Sequence, residues 1–183
     1  ANTLIGGLSG DALTTGSNNV ALGISALSTD DVGSRSVAIG SNALESQNTA
    51  SAGNVHNTAV GYGAGAAVTT GVQNTFIGGL AGDATTTADN NTALGYLALS
   101  ANTTGALNVA IGVAAVDSNT TGASNVGVGV NSLGSNTTAS NNTAVGHEAL
   151  KVNTTGTQNT AVGAFSLDAN TTADNNTAVG YVA

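Results

Sequence analysis

The chain has 183 residues, of which only 7% are charged, against roughly 25% in ordinary globular proteins. Ten acidic residues face Arg35 and Lys151 alone, giving a net charge of −8, which argues against a nucleic-acid-binding surface and against docking on anionic membranes. Cys, Pro, Met and Trp are absent, so there are no disulfides and no thiolate metal sites, and no apolar run approaches the ~20 residues that span a bilayer.

Such a bias marks either disorder or a regular repeat. Disorder is a poor account, because 40% of residues are hydrophobic and Val, Ile and Leu return at fixed intervals, unlike the composition of chains that cannot bury a core. The motif Asn-(Thr/Val)-Ala-(Val/Ile/Leu)-Gly ends at Gly6, Gly23, Gly40, Gly61, Gly78, Gly95, Gly112, Gly129, Gly146, Gly163 and Gly180. Successive spacings are 17 residues except for one of 21, between Gly40 and Gly61. The four extra residues are placed at Thr49–Ala52, a loop tip where insertion costs little.

Residues 1–183 therefore read as one array of about eleven repeats. Neither end departs from the pattern, and solenoids need atypical caps, so the chain is expected to be part of a longer repeat protein. The unit, numbered from its Asn, is N-T-A-V-G-x-x-A-L-x-x-N-T-T-G-x-x, as in Asn91–Leu107. Seventeen residues are too few for a helix pair or a propeller blade. They suit one coil of an all-β parallel solenoid with two short strands and two turns.

In chain order, Asn at position 1 reads either as a stacked amide ladder or as a turn residue. Positions 2 to 4 form the first strand, with Thr92 and Leu94 on one face and Ala93 on the other. Gly at position 5 permits a sharp corner. A second strand is expected around the Ala-Leu step at positions 8 and 9. Stacked at ~4.8 Å, eleven coils make a rod of roughly 50 Å. The expected core ladders are position 4 (Val60, Ile77, Leu94, Ile111, Val145, Val162) and position 9 (Leu99, Leu133, Leu150).

Position 3 is nearly always Ala (Ala59, Ala93, Ala110, Ala144, Ala161). Placed opposite the core ladders, it is expected to line the axis of a homo-oligomer, preferably a trimer. The small apolar volume of one coil also argues that one chain is too little by itself.

Ser36-Val37-Ala38-Ile39-Gly40, with Asn108-Val109-Ala110-Ile111-Gly112 and Asn19-Val20-Ala21-Leu22-Gly23 as close variants, resembles the head repeat of YadA-type trimeric autotransporter adhesins. Similar arrays occur in phage tail-fibre-like proteins. The resemblance covers all eleven occurrences of the motif. It implies a left-handed, homotrimeric parallel β-roll used for attachment at a cell surface or on a virion. The repeat here is longer than the usual head repeat, and Thr often replaces the Val of the motif.

Catalysis finds no support, since His56 and His147 occupy different repeat positions with no nucleophile or metal-ligand spacing around them. No cofactor is expected. Asp11, Glu45, Asp83, Asp117 and Asp168 share position 10, but one carboxylate per turn is a poor calcium site and reads as a solvated column. Tyr62, Tyr96 and Tyr181 share position 6 and are candidate contacts to a host surface protein or glycan.

Thr-Thr pairs fill positions 13 and 14 in eight of ten complete repeats. Such ladders resemble those of ice-binding solenoids. Consecutive strand residues face opposite ways, however, so ice binding ranks below an adhesive or structural extracellular fibre. A purely structural filament without a specific ligand is the other alternative.

Overall fold

A computed structural model describes residues 1–49 and 53–183. Ala50, Ser51 and Ala52 of the expected insertion lie outside the described residues. The chain is all-β: a parallel β-solenoid in which each repeat makes one coil. Its strands are β1 (Thr3–Ile5), β2 (Val20–Leu22), β3 (Gly33–Ser34), β4 (Val37–Ile39), β5 (Gly53–Asn54), β6 (Thr58–Val60) and β7 (Thr75–Ile77). They continue as β8 (Thr92–Leu94), β9 (Val109–Ile111), β10 (Val126–Val128), β11 (Thr143–Val145), β12 (Thr160–Val162) and β13 (Thr177–Val179).

Eleven of these strands form one parallel sheet in chain order, while β3 and β5 form a separate pair beside the long coil. Registers are identical from coil to coil, as in Ala93↔Ala110 and Val126↔Thr143. The long coil keeps the register too, pairing Val37 with Thr58 and Ile39 with Val60. The insertion therefore leaves the ladders on either side of it in register.

Among the described residues no strand forms at the Ala-Leu step, where the repeat pattern predicts a second one. Positions 6 to 11 are turns, and positions 7 and 9 lie in the left-handed region, as in Leu97 (φ 57°) and Leu99 (φ 57°). These turns still bond between coils, since Leu99 N–H donates to Ala115 O at 2.9 Å and Ala101 N–H to Asp117 O at 2.9 Å. A left-handed Leu costs about 1–2 kcal/mol. Burying its side chain stabilises by about 1.5–3 kcal/mol, so packing wins. Leu99, Leu133 and Leu150 are fully interior.

The first strand alternates as expected, but its two faces are reversed. Ala59, Ala93, Ala110, Ala144 and Ala161 are completely buried inside the coil and line no inter-chain axis. Position 4 points outward: Ile77 is 36% exposed and Leu94 45%, with Val145 and Val162 similar. Val60 and Ile111 are half-buried on that same outer face. The cause is volume. Position 3 faces Leu at position 9 across a narrow interior, where a methyl group fits and a Val or Leu does not.

Position 8 adds a second buried column of Ala, including Ala98 and Ala115, and polar ladders fill much of the remaining interior. At position 1, Asn108 Oδ1 accepts the Asn125 N–H at 2.9 Å, and its Nδ2 donates to Gly122 O at 2.9 Å. A second buried ladder runs at position 12, where Asn119 Nδ2 donates to Asn102 Oδ1 at 2.9 Å and to Gly122 O at 2.9 Å. From Asn108 to Asn170 both ladders converge on one corner carbonyl per coil, at Gly122, Ala139, Gly156 and Ala173, whereas Asn91 Nδ2 is buried without a partner. Of the two readings of the position 1 Asn, the amide ladder holds. The turn residue is instead position 17, left-handed in Asn90, Leu107 and Asn141. Each buried donor or acceptor stranded by losing one such amide costs about 1–3 kcal/mol.

The polar ladder changes character beside the long coil. Asp30, wholly buried at position 12, accepts Gly33 N–H at 3.0 Å and Gln47 Nε2 at 2.7 Å. Gln47 Oε1 in turn accepts Asn57 Nδ2 at 2.9 Å. Each group in this cluster has a partner, as buried polar groups require.

Candidate functional site

With the interior filled, function rests on the outer columns. The first is the outer face of the eleven-stranded sheet. Its position 2 column is Thr or Val throughout, and its position 4 column is Val, Ile or Leu throughout. The adjoining position 6 column adds Ile24, Tyr62, Tyr96, Val113, Val130 and Tyr181, all exposed. All twelve charged residues fall at positions 7, 10, 12, 13, 16 or 17, so none interrupts these three columns. The result is an uncharged, largely apolar stripe about 50 Å long.

The candidate contact residues Tyr62, Tyr96 and Tyr181 project from the edge of this stripe, Tyr62 being 65% exposed. Tyr181 belongs to a small aromatic row. Phe165 meets it edge-on at 6.0 Å and meets His147 edge-on at 5.1 Å. His56 lies on a distant coil at a left-handed position 17 corner. The two histidines share no site.

The second feature is the Thr pair. Positions 13 and 14 lie in a bend and not in a strand, so both face outward, contrary to the strand-based expectation. The position 13 hydroxyl is tied to the next coil, as in Thr103 Oγ1 donating to Thr120 O at 2.9 Å. Its neighbour Thr104 is exposed. From Thr69-Thr70 to Thr171-Thr172 the pairs run unbroken through seven coils.

Compared with known proteins, the chain matches no family model, no curated protein and no solved structure. The functional reading therefore rests on geometry and on the sequence pattern.

The third feature is the position 10 column, where five of the ten acidic residues stand. Burial pushes the carboxyls of Asp83 and Asp117 above the usual carboxylate range, against the opposing effect of backbone N–H groups. Lys151 Nζ lies 2.9 Å from Glu148 Oε1, and that hydrogen bond holds the Glu148 carboxyl below its ordinary value. Asp117, Gly134 and Lys151 follow one another on successive coils, and a notch opens where Gly134 lacks a side chain. Among the described residues no helix is long and apolar enough to cross a membrane.

Proposed function

We propose that the chain is a segment of an extracellular fibre, on a cell surface or a virion. In this reading its coils build a rod, its apolar sheet face packs against two further copies, and its remaining surface serves attachment. The observation that carries the proposal is the stripe at positions 2, 4 and 6. Soluble monomers seldom leave a long contiguous apolar surface in water. Position 4 residues, not the interior alanines, are then the buried contacts of a homotrimer, which resembles the YadA-type arrangement in being a left-handed trimeric β-roll. Host proteins or glycans are the attachment targets, with Tyr62, Tyr96 and Tyr181 at the rim of the packed face.

Light scattering tests this directly. The purified segment is expected at three times its chain mass of 17.4 kDa. The double variant Leu94→Lys, Ile111→Lys places two charges on the outer face without touching the interior. It is expected to give a monomer with an unchanged circular dichroism spectrum. A wild-type monomer would remove the proposal.

A second reading draws on the seven unbroken Thr pairs, whose position 14 members, such as Thr104 and Thr121, are exposed at the ~4.8 Å spacing of the coils. If those columns bind ice, the segment shows a gap between freezing and melting points that Thr104→Lys and Thr121→Lys abolish. A solution that freezes at its equilibrium point removes this reading and leaves the fibre.

A further inference from the structure

The position 10 column contains a single glycine, Gly134, and it stands between the only opposite charges that face each other across one coil, Asp117 and Lys151. Coils stack at ~4.8 Å, so these two residues are spaced about 10 Å apart along the rod. The notch between them has a volume of about 260 Å³ and is lined by Asp117, Ser118, Asn131, Gly134, Ser135 and Lys151. That is below the roughly 300–1,000 Å³ of sites for drug-sized ligands and suits one small ring.

The lining chemistry narrows the occupant. It is polar throughout, which disfavours an apolar ligand. A phosphate or sulfate wants a surplus of cations, and the one cation here is already paired with Glu148 at 2.9 Å. A ligand carboxylate meets the same obstacle and the Asp117 charge as well. A calcium ion wants six to eight oxygens with several carboxylates, and the notch supplies one. What remains is a neutral ligand bearing hydroxyls in several directions. Carboxylate, amide and hydroxyl groups together offer such a ligand both acceptors and donors.

The geometry points to a binding site for a single neutral sugar ring, held between Asp117 and Lys151 with Ser118, Asn131 and Ser135 at its edges. This names a glycan as the ligand class of the attachment reading, and it rests on that reading for its biological role. Recognition itself depends on the notch alone. Asp117 accepts hydroxyl protons from one side of the ring, and the Lys151 ammonium donates from the other.

The test uses saturation-transfer NMR of the whole segment with the methyl glycosides of glucose, galactose and mannose, and with N-acetylglucosamine, each at millimolar concentration. At least one sugar is expected to take up saturation. Gly134 has an ordinary backbone conformation, and a Cβ there would lie 3.3 Å from Asn131 O and 3.5 Å from Asp117 Oδ1. Gly134→Gln therefore fills the notch and keeps the fold, as the long Glu45 does in the same column. Gly134→Gln and Asp117→Ala are each expected to weaken binding at least about tenfold.

No saturation of any of the four sugars by the wild type overturns the site, as does equal saturation of wild type and Gly134→Gln. Light scattering on the same samples separates the two proposals. A trimer that ignores all four sugars removes the notch and keeps the fibre. A monomer that binds one of them does the reverse.

Discussion

Replacing Phe76 by Ala is expected to cost about 3–5 kcal/mol, the range for deleting a buried aromatic ring. Phe76 stands at position 3, where other coils carry Ala, and it is fully buried. Room for it comes from two glycines at position 9. A Cβ on Gly82 would lie 2.5 Å from Phe76 Cε1, and one on Gly65 would lie 2.8 Å from Phe76 Cδ2. Truncation therefore leaves a hole flanked by glycine at position 9 of two coils. The triple variant Phe76→Ala, Gly65→Leu, Gly82→Leu rebuilds the common packing of the other coils and is expected to recover most of the loss. Urea unfolding followed by circular dichroism checks both. A single variant as stable as the wild type would show that the ring adds nothing to the interior.

Gly95→Ala is expected to be comparably damaging for a different reason. Position 5 takes φ near +140°, and a Cβ on Gly95 would sit 2.5 Å from Gly112 O and 2.7 Å from Gly112 C. Those are backbone atoms, which cannot swing aside. An unfavourable backbone region costs about 1–3 kcal/mol and forced overpacking about 1–3 kcal/mol more. Together they give a loss on the order of 4 kcal/mol. Gly79→Ala is the control, because its Cβ would meet only Tyr96 Cδ2 at 3.5 Å. Similar midpoints for the two variants would show that the coils can spread to admit a methyl group.

Much of this fold is legible in the sequence. The 17-residue spacing of Gly95, Gly112 and Gly129 fixes coil size, and alternation at Thr92-Ala93-Leu94 separates two faces. Alternation alone does not say which face is inside. The larger side chains at position 4 invite an inward assignment, whereas a coil this narrow has space for only a methyl group opposite the interior Leu at position 9. Two signals point the right way. Charged residues avoid positions 2, 4 and 6, and large residues at position 3 (Leu4, Phe76) go with Gly at position 9 (Gly10, Gly82). Such size compensation means that positions 3 and 9 touch.

Other features were hidden. Positions 6 to 11 resemble a strand in their apolar content, but Leu99 adopts a left-handed backbone that no local preference of Leu suggests. The bend at Thr103-Thr104 also depends on the stacked Asn at position 12, where Asn102 Nδ2 holds the corner carbonyl of Gly105 and Asn102 Oδ1 accepts from Asn119 of the next coil, a long-range effect. The notch is readable only once the coils are stacked, since Asp117, Gly134 and Lys151 are neighbours in space and 17 residues apart in sequence.

The hydrogen bonds between coils have a mechanical consequence. They run along the rod, so tension on the two chain ends loads them one coil after another and not all at once. Peeling a single coil converts about 5 Å of stacked height into roughly 60 Å of extended chain. A rod built this way yields in small steps under a pull and lengthens more than tenfold locally before the next coil is loaded. In the proposed trimer, lateral packing of the copies would raise the force of each step without changing its length. The repeat that sets the rod's length thereby also sets the stride with which it gives way.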